Sequence, residues 1–498
     1  MPNRIISVQR TPGKRLCDCT KPLLAVVISL VAMTALFFIS LVAVSHIMKS
    51  SISQNALISA QTIDEEGLKR KIGGIPIFRL DNFTDALMIN IATNIDERNS
   101  VESAMNCTYT YRGNRMSVTQ GIRDAINEDY EHDAFEYARY WHGYLLFLRP
   151  LLTVTDYSGI RILNYLLLSL LLGGIIWLGI RRKMYETLVA FAISLVVINF
   201  WMVPLSMQYS NTFYTLFAAT IYILCTDRQP KNRTWLAALF CIIGGITAFT
   251  DLLTTPLLTL CIPLLFLLAK EKDLSTQNAL KYTAICSTTW AVGYAGIWIA
   301  KWLLAAVLTG YDISDAAQQI SVRTATEFMD VDMSLWGIAS LIFAHKIIFF
   351  ALATVSIAFI SLTIWQYQRN PLLFKRYSYL LLIAAFPLFW FLAIRNHCVI
   401  HYWFVWRLSA ITIFAYGLFL LRTISNSYSC ICFWVTTSRI SPPIKKSIAS
   451  SKPKPQAISV GKRGTSPVSQ YSVITGIIIK TETRPIATAM EEKKARGL

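Results

Sequence analysis

The sequence predicts an all-α polytopic membrane protein with about ten transmembrane helices and a large first extracytoplasmic loop. Three observations carry this. Hydrophobic residues make up 54% of the 498 and charged residues only 15%, a balance too apolar for a water-soluble chain of this length. The apolar residues gather into long runs bounded by charges. The Lys and Arg residues behind the net charge of +18 sit in the N-terminus, the short connections and the tail.

The first run, Leu23 to Val44, is too long for a signal-peptide core and no small-residue cleavage site follows it. It reads as a retained signal anchor behind a basic cytosolic N-terminus, residues 1–22. A transmembrane region over 23–422 follows, with further spans near 160–180, 185–204, 212–226, 234–250, 254–269, 282–309, 347–366, 378–394 and 403–422. With Arg4, Arg10, Lys14 and Arg15 inside, the basic connections at Arg181 to Lys183, Arg228 to Arg233, Lys270 to Lys272 and Arg369 to Arg376 also fall inside, as does Arg422. Both termini are then cytosolic. This positive-inside pattern accounts for the charge, and nucleic acid is not expected as a partner.

The outer face receives a polar stretch over 45–139, an interfacial helix over 140–155, short turns at Ser206 to Asn211 and Asp251 to Thr255, a second loop over 310–346, and a tight turn from Arg395 to Tyr402. Leu145 to Val154 is too short to span and is interrupted by Arg149-Pro150, hence the interfacial reading. In the second loop, Tyr311 to Asp332 is polar and suits a mobile lid. Residues 423–498, rich in Ser, Lys and Pro, read as a basic disordered cytosolic tail that touches anionic lipid. No internal repeat is evident, which counts against an inverted-repeat transporter.

The ten cysteines show no paired zinc spacing. Cys17 and Cys19 suit palmitoylation or plain packing, and Cys107 and Cys398, the two in external loops, allow a disulfide. Asn82-Phe83-Thr84 and Asn106-Cys107-Thr108 match glycosylation acceptors, a triplet common by chance.

Candidate chemistry concentrates at a few places. Asp81 and Asp85 lie one helical turn apart at the head of a periodic segment, Asp81 to Ile95. Each can act as a general base or a ligand of a divalent metal holding a phosphate. Asp81 equally suits a helix N-cap and Asp85 a solvated acid. Glu128, Asp129, Glu131, His132, Asp133 and Glu136 form either a metal-binding group or a solvated helix face. His142 belongs to the aromatic, basic stretch Tyr137 to Tyr144, where the chain meets lipid again, and anchoring competes there with function. In the Arg395 to Tyr402 turn, His397 and His401 are spaced for one helix face but lack a third ligand, and Arg395 with Arg407 suits a phosphate clamp. Asp251 and Lys301 are ionisable groups at or near membrane depth. Their simpler roles are helix-end solvation and snorkelling. His345 and Lys346 read as an interfacial anchor.

The order of parts resembles the GT-C superfamily of polyprenyl-phosphate-sugar-dependent glycosyltransferases, which includes the protein mannosyltransferases and the lipid A aminoarabinose transferases. The local likeness runs from His142-Gly143-Tyr144-Leu145-Leu146-Phe147-Leu148-Arg149-Pro150-Leu151-Leu152 through Asp156-Tyr157-Ser158-Gly159-Ile160-Arg161-Ile162-Leu163-Asn164 to Arg181-Arg182-Lys183. It looks like that family's juxtamembrane helix, the turn before the second span and the arginine that opens it. The resemblance implies a sugar transferred from a polyprenyl-phosphate-linked donor to an envelope glycan, lipid or protein acceptor on the outer face of a plasma membrane, bacterial by preference. It further implies Asp85 or Asp81 as catalytic base or metal ligand, with Asp85 narrowly ahead. His142, Arg149, Arg395, His397, His401, Arg407, Asp251 and Lys301 remain as substrate-binding candidates. Many relatives carry adjacent acids soon after the first span, whereas here the two are separated and arrive later. No cofactor is required by the sequence, although a divalent metal fits the acids. The alternatives are a transporter or flippase of a lipid-linked or anionic substrate, with function at Asp251 and Lys301, and a noncatalytic envelope protein of the same fold.

Overall fold

The computed structural model describes residues 12–75, 77–110, 118–127, 134–271, 273–328, 331–332, 334–337, 340 and 346–424. The tail from residue 425 lies outside the described residues, as do the acidic run 128–133 and His345.

The chain is an all-α membrane protein. Five helical stretches among the described residues are long and apolar enough to cross a bilayer: Thr20–Ser45, Tyr157–Arg181, Arg233–Thr250, Thr276–Thr309 and Tyr402–Thr423. A sixth arises if Pro371–Tyr377 and Tyr379–Ala393, bent by 51° at their junction, count as one span. The sequence had predicted about ten. Part of the difference is length. The runs near 185–204 and 254–269 give helices of only 13 residues (Tyr185–Val197) and 14 residues (Leu257–Lys270). At a rise of about 1.5 Å per residue these fall short of a hydrocarbon core of about 30 Å. The run near 212–226 belongs to Met207–Cys225, whose first turns hold Gln208, Ser210, Asn211 and Thr212. A helix over Lys346–Arg369 covers the run near 347–366.

In chain order the first elements are α1 (Pro12–Ser45), α2 (Lys49–Glu66), α3 (Asn82–Asn94), α4 (Ser100–Asn106), α5 (Val118–Asn127), α6 (Leu145–Leu152), α7 (Tyr157–Arg181), α8 (Tyr185–Val197), α9 (Met207–Cys225), α10 (Arg233–Thr250), α11 (Leu257–Lys270), α12 (Thr276–Thr309) and α13 (Ile313–Thr324). The stretch expected as one polar loop is therefore folded. Helices α2, α3 and α5 pack on one another, α4 packs on α1 and α12, and a two-stranded antiparallel pair sets Tyr109 opposite Phe135. Their shared interior, with Ile52, Ala56, Ile89, Ala92, Met105 and Ile122, merges with the buried side of α1 and α12. A second core joins α7 to α11 with the C-terminal helix. Within it α11 is buried on every side, from Leu257 to Ala269. An apolar helix of that kind packs against protein all round, which explains why it need not span.

Glycine sets the closest contact in the bundle. A Cβ on Gly293 of α12 would lie 2.0 Å from the Cys241 carbonyl oxygen of α10, and one on Gly244 of α10 would lie 2.1 Å from that of Trp290. The two backbones therefore touch directly, as small residues allow between membrane helices. Helix α1 docks across the same pair, with Met33 against Gly245, Leu30 against Gly296 and Phe37 stacked on Phe249 at 3.9 Å.

At the end of the bundle opposite the α2–α6 region, the basic side chains do more than sit in water. Lys270 donates to the Ile223 and Thr226 carbonyls, Arg182 to that of Leu224, and Arg422 to that of Ala269. Each covers the carboxyl end of a neighbouring helix, where four carbonyls lack internal partners and the helix dipole favours a cation.

Adding a methyl at Gly293 should force α10 and α12 apart and destabilise the chain by about 3 kcal/mol or more. Thermal unfolding in detergent should show a lowered midpoint for Gly293→Ala and an unchanged one for Gly173→Ala, whose Cβ would meet nothing within 4 Å.

Candidate functional site

Asp81 and Asp85 share one helix and serve it differently. Asp81 is the N-cap of α3 and accepts from the Thr84 amide at 3.3 Å. Its second oxygen accepts from the indole Nε1 of Trp403 at 3.1 Å, 322 residues away in the chain. Asp85 is fully buried and accepts four hydrogen bonds, from the Tyr157 hydroxyl (2.5 Å), the Ser206 hydroxyl (3.1 Å) and the Met207 and Gln208 amides (3.1 and 3.0 Å). The two amides open α9, so the carboxylate caps that helix from outside it. Burial pushes Asp85 up to about 6, against the pull of the Tyr157 and Gln208 bonds and the Arg161 charge. Asp81 is also pushed up by burial, opposed first by the Arg79 guanidinium.

Beneath Asp85 lies an ion pair that ties three helices. Arg161 of α7 donates through both terminal nitrogens to Glu66 of α2, at 2.6 and 2.9 Å, and through Nη2 to Asn82 and to Tyr157. Burial works against the Glu66 charge, yet the Arg161 bonds and charge, with Asn82 and Arg70, hold its carboxyl below the usual range.

Several candidates are committed to the fold. Arg149 is fully buried on α6 and donates to the carbonyls of Val44, Ile47 and Ala92, at the ends of α1 and α3. Lys301 does not snorkel: it is fully buried and donates to the Ala104 and Met105 carbonyls (3.2 and 2.6 Å) in the last turn of α4. Asp251 follows α10 and accepts from the Thr254 amide at 2.9 Å and the Thr212 hydroxyl at 3.2 Å, closing the turn that leads to α11. His142, at a positive φ of 57°, bridges the Tyr144 hydroxyl and the Tyr137 carbonyl, both at 2.9 Å. Its Nε2 donates to the carbonyl, so Nδ1 accepts from Tyr144 and the ring is neutral; burial holds it down at about 3.

The C-terminal turn brings the rest together. Arg395–Ile400 is a short helix, not an open turn. Its His397 gives Nε2–H to the Leu253 carbonyl at 2.8 Å, and its ring lies 4.7 Å from that of His401. His401 in turn meets the ring of Trp403 at 5.2 Å. Arg407 is buried over the Tyr209 ring at 4.3 Å and donates through Nη1 to the Trp403 carbonyl, while its Nε and Nη2 have no hydrogen-bond partner. Arg79 stacks on Trp403 at 3.6 Å, and the carbonyl of Arg79 accepts from the Tyr209 hydroxyl at 2.8 Å. Trp403 thus joins Asp81 to Arg407: its indole holds the carboxylate and its carbonyl the guanidinium. Arg395 is half-buried at the head of the short helix, and its charge acts on Asp332.

Trp403, Tyr209 and Arg79 are the members that sequence reasoning missed. Arg79, two residues ahead of Asp81, was the available signal. No three His, Cys, Asp or Glu side chains among the described residues come together as a metal-sized group. Cys107 and Cys398 are free thiols, not a disulfide. Asn82 and Asn106 of the glycosylation triplets are buried and donate to Glu66 and Glu136, which withholds their amides from modification in the folded chain.

No protein-family model matches the chain, and neither the curated proteins nor the solved structures contain a significant match.

Acid titration of these buried groups has two opposing signs. His142 and His397, both held down at about 3, contribute stability that is present above about pH 6.5 and is lost as pH falls toward 3. Asp85 and Asp251, both raised to about 6, contribute stability that is present below about pH 4 and is lost as pH rises through 6. The thermal midpoint of His397→Gln should therefore fall less than that of the wild type between pH 7 and pH 5, and that of Asp251→Asn should fall more.

Proposed function

We propose that the chain is a membrane glycosyltransferase, passing a sugar from a polyprenyl-phosphate-linked donor to an envelope glycan, lipid or protein acceptor at the outer face of a bacterial plasma membrane. The observation that carries this reading is the Trp403 junction. It sets a carboxylate from the region after the first span beside a buried guanidinium with two unpartnered N–H edges. Charge parity over the ten apolar runs of the sequence would turn that face outward with both termini cytosolic, and the sequence resemblance supplies the reaction class.

In this reading Asp81 is the base. Burial raises its proton affinity, which makes its ionised form the stronger base. It takes the proton of the acceptor hydroxyl as that oxygen bonds to the anomeric carbon, and the carrier phosphate leaves with the electron pair of the broken C–O bond. Arg407 offers its open edge to the phosphate and Arg395 adds charge at the rim. Trp403, half-buried, covers Asp81 and has to turn aside to admit substrate. Asp85, with four donors already in place, is a positioning residue for α9.

A transporter reading loses its residues to the fold. Of the groups it would use, Asp251 closes its own turn after α10 and Lys301 is bonded to the last turn of α4.

Asp81→Asn and Arg407→Gln should each lower transfer at least about 100-fold, read as the composition of envelope glycans by mass spectrometry in cells expressing the variant as their sole copy. Asp85→Asn should instead lower the thermal midpoint. Unchanged glycans with Asp81→Asn would sink the reading.

A further inference from the structure

A second polar group on the same face takes no part in the transfer reading. On α12, Trp290, Tyr294, Trp298 and Trp302 recur every four residues, so their rings form one ladder along a single helix face. Trp290 stacks on Tyr294 at 5.0 Å, and the next two steps are 5.6 and 5.8 Å. Tyr140 meets Trp298 edge-on at 5.3 Å, with Tyr137 and His142 behind it. Helix α13 crosses over this wall. Arg323 donates to the Tyr140 hydroxyl at 3.2 Å, Asp315 pairs with Arg139 at 3.3 Å, and Asn396 holds the Val322 carbonyl at 2.7 Å.

A membrane-interface belt would turn such rings outward and give their polar atoms to headgroups and water. Here the Trp298 indole Nε1, the Tyr294 hydroxyl and the Arg323 Nε are all buried and have no hydrogen-bond partner. Buried polar atoms in folded proteins are nearly always partnered. These three belong to residues linked through contacts of Trp298 with Tyr294 and of Tyr140 with both Trp298 and Arg323. Two of the three are donors only, so a partner suited to them offers acceptor oxygens. The charges nearby balance, since Arg139 is paired with Asp315, and Arg323 shares the surroundings of Tyr294 with Asp251. That balance favours an uncharged ligand.

Aromatic faces, acceptor-seeking donors and balanced charge together describe the recognition of a pyranose ring, which lays its axial C–H bonds on an aromatic face and offers ring and hydroxyl oxygens at its edge. We propose that Tyr140, Tyr294, Trp298 and Arg323, beneath α13, form a binding site for a neutral sugar, distinct from the Asp81–Arg407 cluster. Binding there does not require transfer at Asp81. If transfer does take place, this is where the acceptor's sugar would be held.

The test is saturation-transfer NMR on the full chain in nanodiscs, with mannobiose and chitobiose as probes. Wild type should transfer saturation to the protons of one ring face. Trp298→Leu, Tyr294→Phe and Arg323→Lys should each weaken binding at least about tenfold. Trp336→Leu, at an 81% exposed residue outside the wall, should bind as wild type does. Tyr294→Phe and Arg323→Lys keep ring and charge, so they carry the test should Trp298→Leu fail to fold. No transfer to either probe from the wild type overturns the proposal, as does wild-type affinity in Tyr294→Phe and Arg323→Lys together. Sugar binding retained in a chain whose Asp81→Asn variant leaves envelope glycans unchanged would keep this site and remove the transfer reading alone.

Discussion

A helix that ends inside or at the edge of a bilayer presents backbone groups that water cannot reach, and each must find a partner in the protein. Most of the buried ionisable residues in this chain meet that constraint. Lys301 closes α4, Arg149 takes carbonyls from the ends of α1 and α3, Asp85 receives the first amides of α9, and Asp251 closes the turn after α10. At the opposite end of the bundle Lys270, Arg182 and Arg422 do the same for α9 and α11. Without these side chains the carboxyl ends of α4, α9 and α11 and the first amides of α9 would be left with unsatisfied backbone groups.

This constraint also weakens a familiar inference. An intramembrane charge is read as functional because its burial is expensive. A cap offsets that expense, since the charge replaces water for groups that would otherwise have no partner, and the helix dipole adds to the attraction. Burial alone therefore does not separate a functional charge from a cap. The distinguishing quantity is hydrogen-bonding capacity left over. Asp85 has four donors around two oxygens, and Lys301 is spent on two carbonyls and a methionine sulfur. Arg407 satisfies one carbonyl and keeps two unpartnered nitrogens.

The sequence made the membrane class legible because composition and charge placement act over hundreds of residues, beyond the reach of local accidents. Span boundaries for Tyr157–Arg181, Arg233–Thr250 and Thr276–Thr309 fall close to the predicted runs for the same reason. The count was less legible. A run of apolar residues looks alike whether it faces lipid or protein, and α11, buried on all sides, is the case in point. The polar stretch hid its fold for a different reason: α2 to α5 are short helices of mixed composition whose partners lie far along the chain, as Asn55 with the Leu152 carbonyl illustrates.

The candidate site was legible one half at a time. Asp81 stood out by position and Arg407 by charge, but their junction depends on Trp403, an aromatic residue of ordinary appearance near a membrane edge. Spacing placed Asp81 and Asp85 on one helical face and ranked them nearly equal. Tertiary context ranks them otherwise. Position 81 meets a half-buried indole on which Arg79 stacks, whereas position 85 faces the head of α9, enclosed by two backbone amides and the Tyr157 and Ser206 hydroxyls. One helical turn separates the two acids, and that turn is the distance between a carboxylate that caps its own helix beside a tryptophan and one that caps α9 from outside.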